Sequence, residues 1–182
     1  MRFQIQHHPE VTSTNTLAKE AAEQGAGEGL VIWADHQTKG RGKLTNQWLS
    51  SRGKNLLFSL LTRPPIDSAH APMLTQIACR SVANVLGTEY AIESHFKYPN
   101  DILVHGKKIC GILVESSAKP SQVLEYAVIG IGLNVHDAPK ELKDKAVAMK
   151  EITGKEFDLT LLLNQVLAQL DKDLAGLYAH SS

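Results

Sequence analysis

The chain has 182 residues, 43% of them hydrophobic and 21% charged, and this composition excludes a disordered chain and a coiled coil. Its 19 lysines and arginines balance its 19 aspartates and glutamates, so the sequence disfavours DNA binding through bulk charge and requires any anion site to be local. No segment is apolar over the length that spans a bilayer, so we expect no membrane partner and a cytoplasmic protein.

The order of the predicted elements indicates one domain, residues 1–182, because no repeat, low-complexity tract or linker divides the sequence. Hydrophobic spacing and the positions of glycine and proline predict, in chain order, a helix over 13–24, a strand over 29–37, a polar loop over 38–53, a strand over 55–61, a helix over 71–86, strands over 91–97, 102–105, 108–116 and 124–135, and a helix over 159–178. A hairpin turn at residues 105–107 is incompatible with a purely parallel sheet. We therefore predict an α/β (α+β) fold with a mixed, mainly antiparallel sheet flanked by helices.

Cysteine and histidine usage argues against a disulfide framework and a zinc site. Cys79 and Cys110 are too few for such a framework and form no Cys-x-x-Cys pair, so we predict that both are reduced core residues. The histidines show no metal-ligand spacing such as His-x-x-x-His. No transition metal is therefore predicted.

Two loops combine glycine or proline with charged side chains. Residues 37–43, Gln-Thr-Lys-Gly-Arg-Gly-Lys, follow a predicted strand and suit the approach of a phosphate or carboxylate. Taken alone, such a segment is more often a solvated surface loop. Residues 97–101, Lys-Tyr-Pro-Asn-Asp, present a lysine, an asparagine and an aspartate together on a proline turn, and these are equally ordinary turn formers.

Two predicted strands contain glycines where a ligand or another backbone could approach closely. Residues 107–115 begin with two lysines and carry Gly111 in the middle, and the alternative is a hairpin with charged ends. Residues 130–135, Gly-Ile-Gly-Leu-Asn-Val, permit either ligand approach or tight sheet packing. Neither segment alone decides between a binding site and a packing role.

In order and spacing, these segments resemble the motifs of biotin protein ligases over nearly the whole chain. The matching segments are Ser13-Thr14-Asn15 at the first helix, Gly40-Arg41-Gly42 with Trp48 in the glycine-arginine biotin loop, Lys97 to Asp101 as Lys-Trp-Pro-Asn-Asp with Tyr98 in place of tryptophan, Lys108 and Gly111 in Lys-x-x-Gly-Ile-Leu, and Gly130 to Val135 as Gly-Ile-Gly-x-Asn-Val. The resemblance implies the α/β fold shared with class II aminoacyl-tRNA synthetases and lipoate ligases. It also implies ATP-dependent activation of biotin to biotinyl-5'-AMP and transfer of biotin to a lysine of a biotin carboxyl carrier protein.

The same resemblance implies two groups of site residues. The implied biotin-binding residues are Ser13, Thr14, Asn15, Gln37, Gly40, Arg41, Gly42, Lys43, Lys108 and Gly111. The implied ATP-binding residues are Trp48, Lys97, Asn100, Asp101 and Asn134. Because biotin and ATP are both anions, Lys108 and Arg41 are the candidate catalytic cations. Mg²⁺ is expected on the phosphates, with Asp101 as one candidate protein ligand.

Expectations for partners and domain organisation follow from the resemblance as well. The expected acceptor is the carrier domain of a biotin-dependent carboxylase, and a homodimer is one assembly that the resemblance allows. Residues 1–182 are expected to form a monofunctional catalytic domain without the winged-helix domain of bifunctional members, so no DNA partner is expected. The small C-terminal β-barrel domain of the family is also expected to be absent.

The loop departs from the family pattern between Gly42 and Trp48. Where the family carries further arginines, this sequence reads Lys-Leu-Thr-Asn-Gln. Lys43 keeps a positive charge but lacks the bidentate fork of a guanidinium. Weaker retention of the adenylate, and hence less selective labelling, is therefore expected.

Two other functions stay open at this point. A lipoate protein ligase shares the fold and the chemistry, but its Arg-Arg-x-Ser-Gly-Gly-Gly loop has no counterpart between Thr38 and Gly53. A noncatalytic module that binds biotin or adenylate is compatible with the altered loop. Turnover separates the module from an enzyme.

Overall fold

The computed structural model describes residues 1–44 and 46–179. Its seven strands are β1 (Gln4–His8), β2 (Leu30–Ala34), β3 (Leu56–Thr62), β4 (His95–Lys97), β5 (Asp101–Val104), β6 (Lys107–Ala118) and β7 (Leu124–Leu133). Its α-helices are α1 (Thr14–Glu23), α2 (Pro72–Tyr90), α3 (Met149–Thr153) and α4 (Leu159–Ala179), and two short 3-10 helices span Ser68–His70 and Lys140–Leu142. No helix among the described residues combines the length and the apolar character that a bilayer crossing requires.

All seven strands form one sheet in the order β1-β2-β3-β7-β6-β5-β4. Only the pair β1–β2 is parallel, and every other neighbouring pair is antiparallel. The turn at residues 105–107 joins β5 and β6, as the sequence predicted. The prediction of a mixed, mainly antiparallel sheet flanked by helices is therefore confirmed.

The alternation of side chains on β3 divides the core between the two faces of the sheet. Phe58 and Leu60 belong to the larger apolar cluster, which the buried faces of α2 and α4 complete. Leu61 points to the opposite face and packs with Ala18 and Ala22 of α1. Since both faces are covered, β3 is buried along its whole length.

The face covered by α1 is the one that leaves room for a ligand. On β7, Val128 packs in the α1 cluster, whereas Gly130 and Gly132, further along the same face, have no side chains. The register places Gly111 of β6 opposite Gly132, and Leu113 opposite Gly130. This face of the sheet is therefore left uncovered beyond the N-terminal end of α1.

Two predicted strands were wrong in extent, and two elements were missed. The strand expected over 91–97 is confined to His95–Lys97, because α2 continues to Tyr90 and ends with Ala91 in the left-handed conformation at φ 54°. The strand expected over 29–37 covers only Leu30–Ala34. No hydrophobic pattern in the sequence indicated β1, whose residues are mostly exposed and polar, or the five-residue helix α3.

Candidate active site

A cavity of about 190 Å³ lies on the open part of the sheet, between the start of α1, the loop after β2 and the strands β5, β6 and β7. Most of the residues predicted for the site line it: Ser13, Thr14, Asn15, Gln37, Arg41, Gly42, Lys43, Trp48, Asn100, Asp101, Lys108 and Gly111. Segments separated by up to 119 positions in the sequence, Ser13 and Gly132, thus meet at one place.

The N-terminal end of α1 forms one wall of the cavity through a polar network. Gln37 Oε1 accepts hydrogen bonds from Thr14 N at 2.8 Å and from Thr14 Oγ1 at 3.1 Å. Ser59 Oγ lies 2.7 Å from Thr14 Oγ1 and donates to Asn15 Oδ1 at 2.6 Å. Thr14 and Asn15 are buried, so this network fixes their side chains against the sheet, and Ser13 is buried beside them.

Ser59 was missed by the sequence interpretation although it carried a signal. It is a polar residue in the middle of the apolar strand Leu56–Thr62, and it is fully buried. A buried hydroxyl requires a hydrogen-bond partner, and its alternation with Phe58 and Leu60 places it on the face of α1. The residue therefore fixes Thr14 and Asn15 from below.

The floor of the cavity consists of backbone because the glycines of β6 and β7 lack side chains. A Cβ atom on Gly132 would lie 2.5 Å from Trp48 Cε2, and one on Gly111 would lie 2.8 Å from Trp48 Cζ3. The indole of Trp48 thus rests directly on the two paired glycines. A Cβ atom on Gly130 would lie 2.0 Å from Asn15 Oδ1, so this glycine makes room for the α1 network.

The charged side chains of the cavity are three cations and one carboxylate, counted over its described lining residues. Lys108 Nζ lies 2.7 Å from Asp101 Oδ1 and 5.3 Å from the centre of a Trp48 ring. Arg41 Nη1 donates to Glu115 Oε2 at 2.9 Å, and Lys43 is exposed at the rim. The lining therefore has a net positive charge in a chain whose formal net charge is zero, which favours an anionic ligand.

The predicted proline turn, residues 97–101, is attached to β6 by hydrogen bonds of Asn100. Asn100 Nδ2 donates to Ile112 O at 2.8 Å, and Ile112 N donates to Asn100 O at 2.9 Å. These two bonds attach the proline turn to β6 beside Asp101. The turn therefore positions a carboxylate at the Lys108 end of the cavity.

Three predicted site residues do not line the cavity. Gly40 is buried just behind it, where a Cβ atom would meet Trp48 O at 2.4 Å. Lys97 is exposed on β4. Asn134 is 1% exposed, and its Nδ2 donates to Val147 O at 3.3 Å and reaches Lys108 O at 3.5 Å. Asn134 thus supports the backbone of Lys108 from behind.

Neither of the two cysteines lines the cavity. Cys79 and Cys110 are buried free thiols, and burial raises the pKa of Cys79 to about 12 and that of Cys110 well above its ordinary value. Among residues 1–44 and 46–179, no group of three or more His, Cys, Asp or Glu side chains could hold a metal ion.

Comparison with known proteins agrees with this geometry. Residues 8–134 match the biotin/lipoate A/B protein ligase family. The chain is 35% identical over 178 residues to the bifunctional ligase/repressor BirA of Bacillus subtilis, covering 96% of this chain and 54% of that protein. It is 31% identical over 165 residues to the biotin--[acetyl-CoA-carboxylase] ligase of Mycobacterium tuberculosis, covering 87% of this chain and 59% of that protein. The chain thus spans about half the length of the curated relatives it matches.

A solved structure supports the same relationship at the level of the fold. The biotin protein ligase from Aquifex aeolicus, in complex with biotin and ATP, aligns with a TM-score of 0.81 and 32% identity, covering 98% of this chain and 73% of that chain. The resemblance seen in the sequence motifs is therefore confirmed, together with the expected fold class. The chain belongs to the biotin/lipoate A/B protein ligase family, and within it the chain is similar to biotin protein ligases.

Proposed function

We propose that this chain activates biotin with ATP to form biotinyl-5'-AMP and transfers the biotin to a lysine of a biotin carboxyl carrier protein. The observation that carries the proposal is the cavity itself, in which Arg41, Lys43 and Lys108 surround a glycine floor covered by Trp48. The Aquifex aeolicus ligase, which is similar over nearly the whole of this chain, was solved with biotin and ATP. A site with this charge and this family relationship suits an acid that must react with a nucleotide.

In the first half-reaction, a carboxylate oxygen of biotin attacks the α-phosphorus of ATP, and pyrophosphate leaves with the electron pair of the broken bond. Both reactants are anions, so cations must bring them together and stabilise the charge that develops on the phosphoryl oxygens. Lys108 is the residue we assign to this role, because its side chain is only 33% exposed and Asp101 holds its ammonium in the cavity. Arg41 is assigned to hold the ligand from the loop side.

In the second half-reaction, a neutral lysine amine of the carrier attacks the carbonyl carbon of the mixed anhydride. The product is an amide, AMP leaves, and the amine loses a proton to solvent or phosphate. Positioning and exclusion of water account for most of the rate enhancement expected here. Neither cysteine is required, since both are buried away from the cavity.

Magnesium is expected to enter with ATP. Mg²⁺ commonly binds through one or two carboxylates together with substrate phosphates, and it would neutralise phosphate charge in the first half-reaction. The described lining of the cavity offers one carboxylate, Asp101, which fits a metal held mainly by the nucleotide. Removal of magnesium by a chelator should therefore abolish adenylation.

The proposal extends to the context of the protein. We infer that residues 1–182 act as a catalytic domain in the cytoplasm, with the carrier domain as the protein partner and without DNA as a partner. Homodimerisation is kept as a proposal that sedimentation of the purified protein can test. Reduced selectivity, expected from Lys43, would be refuted if unrelated proteins mixed with enzyme, biotin and ATP remained unlabelled.

Biotin-dependent exchange of labelled pyrophosphate into ATP tests the first half-reaction. The wild type should exchange label when biotin and Mg²⁺ are present and should ignore lipoate, whereas Lys108→Ala should lose at least about 100-fold in rate. Exchange with lipoate would favour a lipoate ligase. Biotin binding by a folded protein without exchange would favour the noncatalytic module. Transfer is tested separately, by labelling of a purified carrier domain and its lysine-to-arginine variant.

A further inference from the structure

Glu115 joins three parts of the structure around one carboxylate. It lies on β6 two residues beyond Leu113, on the face of the sheet that carries the cavity. Its Oε2 accepts hydrogen bonds from Asn15 Nδ2 at 3.0 Å and from Arg41 Nη1 at 2.9 Å, and its Oε1 accepts from Lys19 Nζ at 3.1 Å. The side chain is 16% exposed. A strand residue is thus connected both to α1 and to the loop that covers the site.

The loop over the cavity, described at residues 40–44 and 46–48, is closed mainly by its own backbone. We call it the biotin loop. Gly42 N donates to Asn46 O at 2.8 Å, and Trp48 N donates to Gly40 O at 3.0 Å. Among the described residues 41–44, 46 and 47, only the side chain of Arg41 forms a hydrogen bond or ion pair with another described residue. The hydrogen bond from Arg41 to Glu115 is therefore the polar contact that connects the side chains of this loop to the sheet.

The carboxylate is well suited to hold a guanidinium at neutral pH. Partial burial opposes its ionisation, but hydrogen bonds from Asn15 and Lys19 and the charges of Lys19 and Arg41 outweigh burial and lower the pKa of Glu115. Because two cations share one carboxylate, the cluster keeps a net positive charge. Arg41, which is 45% exposed, can therefore still attract an anion while Glu115 restricts its orientation.

We propose that Glu115 is a positioning residue that orients Arg41, and through Arg41 the biotin loop, over the bound acid and its adenylate. The inference rests on the proposed function, since it assigns Arg41 to ligand binding. A purely structural role would instead act through Asn15 and the packing of α1 on the sheet. The two roles predict different results when Arg41 is absent. If Glu115 acts through Arg41, removing its carboxylate has little further effect on biotin binding in an Arg41 variant. If Glu115 acts through α1, the full effect remains.

A double-mutant cycle in pyrophosphate exchange separates these roles. Glu115→Gln keeps the size of the side chain and an oxygen that accepts from Asn15, but it removes the charge that holds Arg41. We expect this variant to raise the KM for biotin about tenfold and to change kcat less than about twofold. In an Arg41→Gln background, the same substitution should add less than about a twofold change. The rate at which biotinyl-AMP escapes from the enzyme should rise in parallel.

Lys19→Gln is the matched control because Lys19 contacts the same carboxylate but does not line the cavity. It should leave the KM for biotin within about twofold of the wild type. An unchanged KM in Glu115→Gln, an effect that adds fully to Arg41→Gln, or an equal effect of Lys19→Gln would each overturn the proposal. Thermal unfolding of each variant checks that the compared proteins are folded. Absence of exchange in the wild type would refute the proposed function itself, and a separate biotin-binding measurement on the four proteins of the cycle and on Lys19→Gln would then test Glu115.

Discussion

Replacing Gly130 with alanine tests whether the missing side chain on β7 is what lets α1 reach the sheet. The new Cβ atom would lie 2.0 Å from Asn15 Oδ1 and 2.8 Å from Asn15 Cγ. Unstrained contacts between such atoms are longer than about 3 Å, so one partner must move by about 1 Å. Asn15 is 4% exposed and bonded to Ser59, Leu113 and Glu115, so it cannot move without breaking these bonds.

The magnitude follows from those three hydrogen bonds. Each contributes about 0.5–1.5 kcal/mol net, and loss of all three would lower the free energy of unfolding by about 2–4 kcal/mol. In a protein of this size, about 1 kcal/mol corresponds to a Tm change of about 2–4 °C. We therefore expect Gly130→Ala to lower the Tm by about 5–15 °C and to abolish biotin binding.

Thermal unfolding followed by circular dichroism measures the effect, with Gly87→Ala as control. Gly87 lies in α2 and its Cβ would meet nothing within 4 Å, so alanine should raise the Tm slightly through helix propensity. A Gly130→Ala protein with a Tm within about 2 °C of the wild type would refute the reasoning. It would mean that Asn15 has another low-energy position that the polar network tolerates.

Three further predictions concern the glycine floor of the cavity, the two thiols and the half-buried carboxylate of Glu115. In Gly132→Ala the new Cβ would lie 2.5 Å from Trp48, whose side chain can move away. Pyrophosphate exchange should therefore fall more than about tenfold while the Tm changes little, and unchanged exchange would contradict this. Cys79 and Cys110 should react with a thiol reagent only after unfolding, because burial raises both pKa values; prompt modification of the folded protein would contradict the prediction. The wild type should have a larger free energy of unfolding than Glu115→Gln. This difference should reach its full value above the ordinary glutamate pKa of about 4.3 and be lost as pH falls through the lowered folded-state pKa of Glu115. Urea unfolding across this range measures it, and a difference independent of pH would argue against it.

The sequence predicted those elements whose hydrophobic pattern is strong. Buried strands such as Leu56–Thr62 and long amphipathic helices such as α4 carry a local signal, and both were found close to their predicted bounds. The strand β1 has no such signal, because its residues are mostly exposed and it is defined only by pairing with β2. The strand predicted over 91–97 is shorter than expected, because α2 extends to Tyr90 and Ile92 is buried two residues beyond its end.

Within the site, motif resemblance predicted most of the residues that line the cavity but not the residues that support them. Glu115 lies inside the predicted strand 108–116, yet its contacts with Asn15 and Arg41 come from positions 100 and 74 residues away. Conversely, Asn134 shares a motif with Gly132 but points behind the cavity, because the chain leaves β7 at Leu133. Such orientation depends on tertiary contacts that spacing along the chain does not encode.

The wide separation in sequence of the cavity walls has a consequence for how the protein folds. Asn15 of α1 contacts Leu113 across 98 residues and Glu115 across 100, so the cavity requires long-range strand pairing to be complete. Such contacts close large loops and form slowly, whereas α2 and the hairpin between β5 and β6 depend on local contacts. We therefore expect secondary structure to appear in refolding before ligand-binding competence, so that capture of biotin reports the arrival of the fully paired sheet.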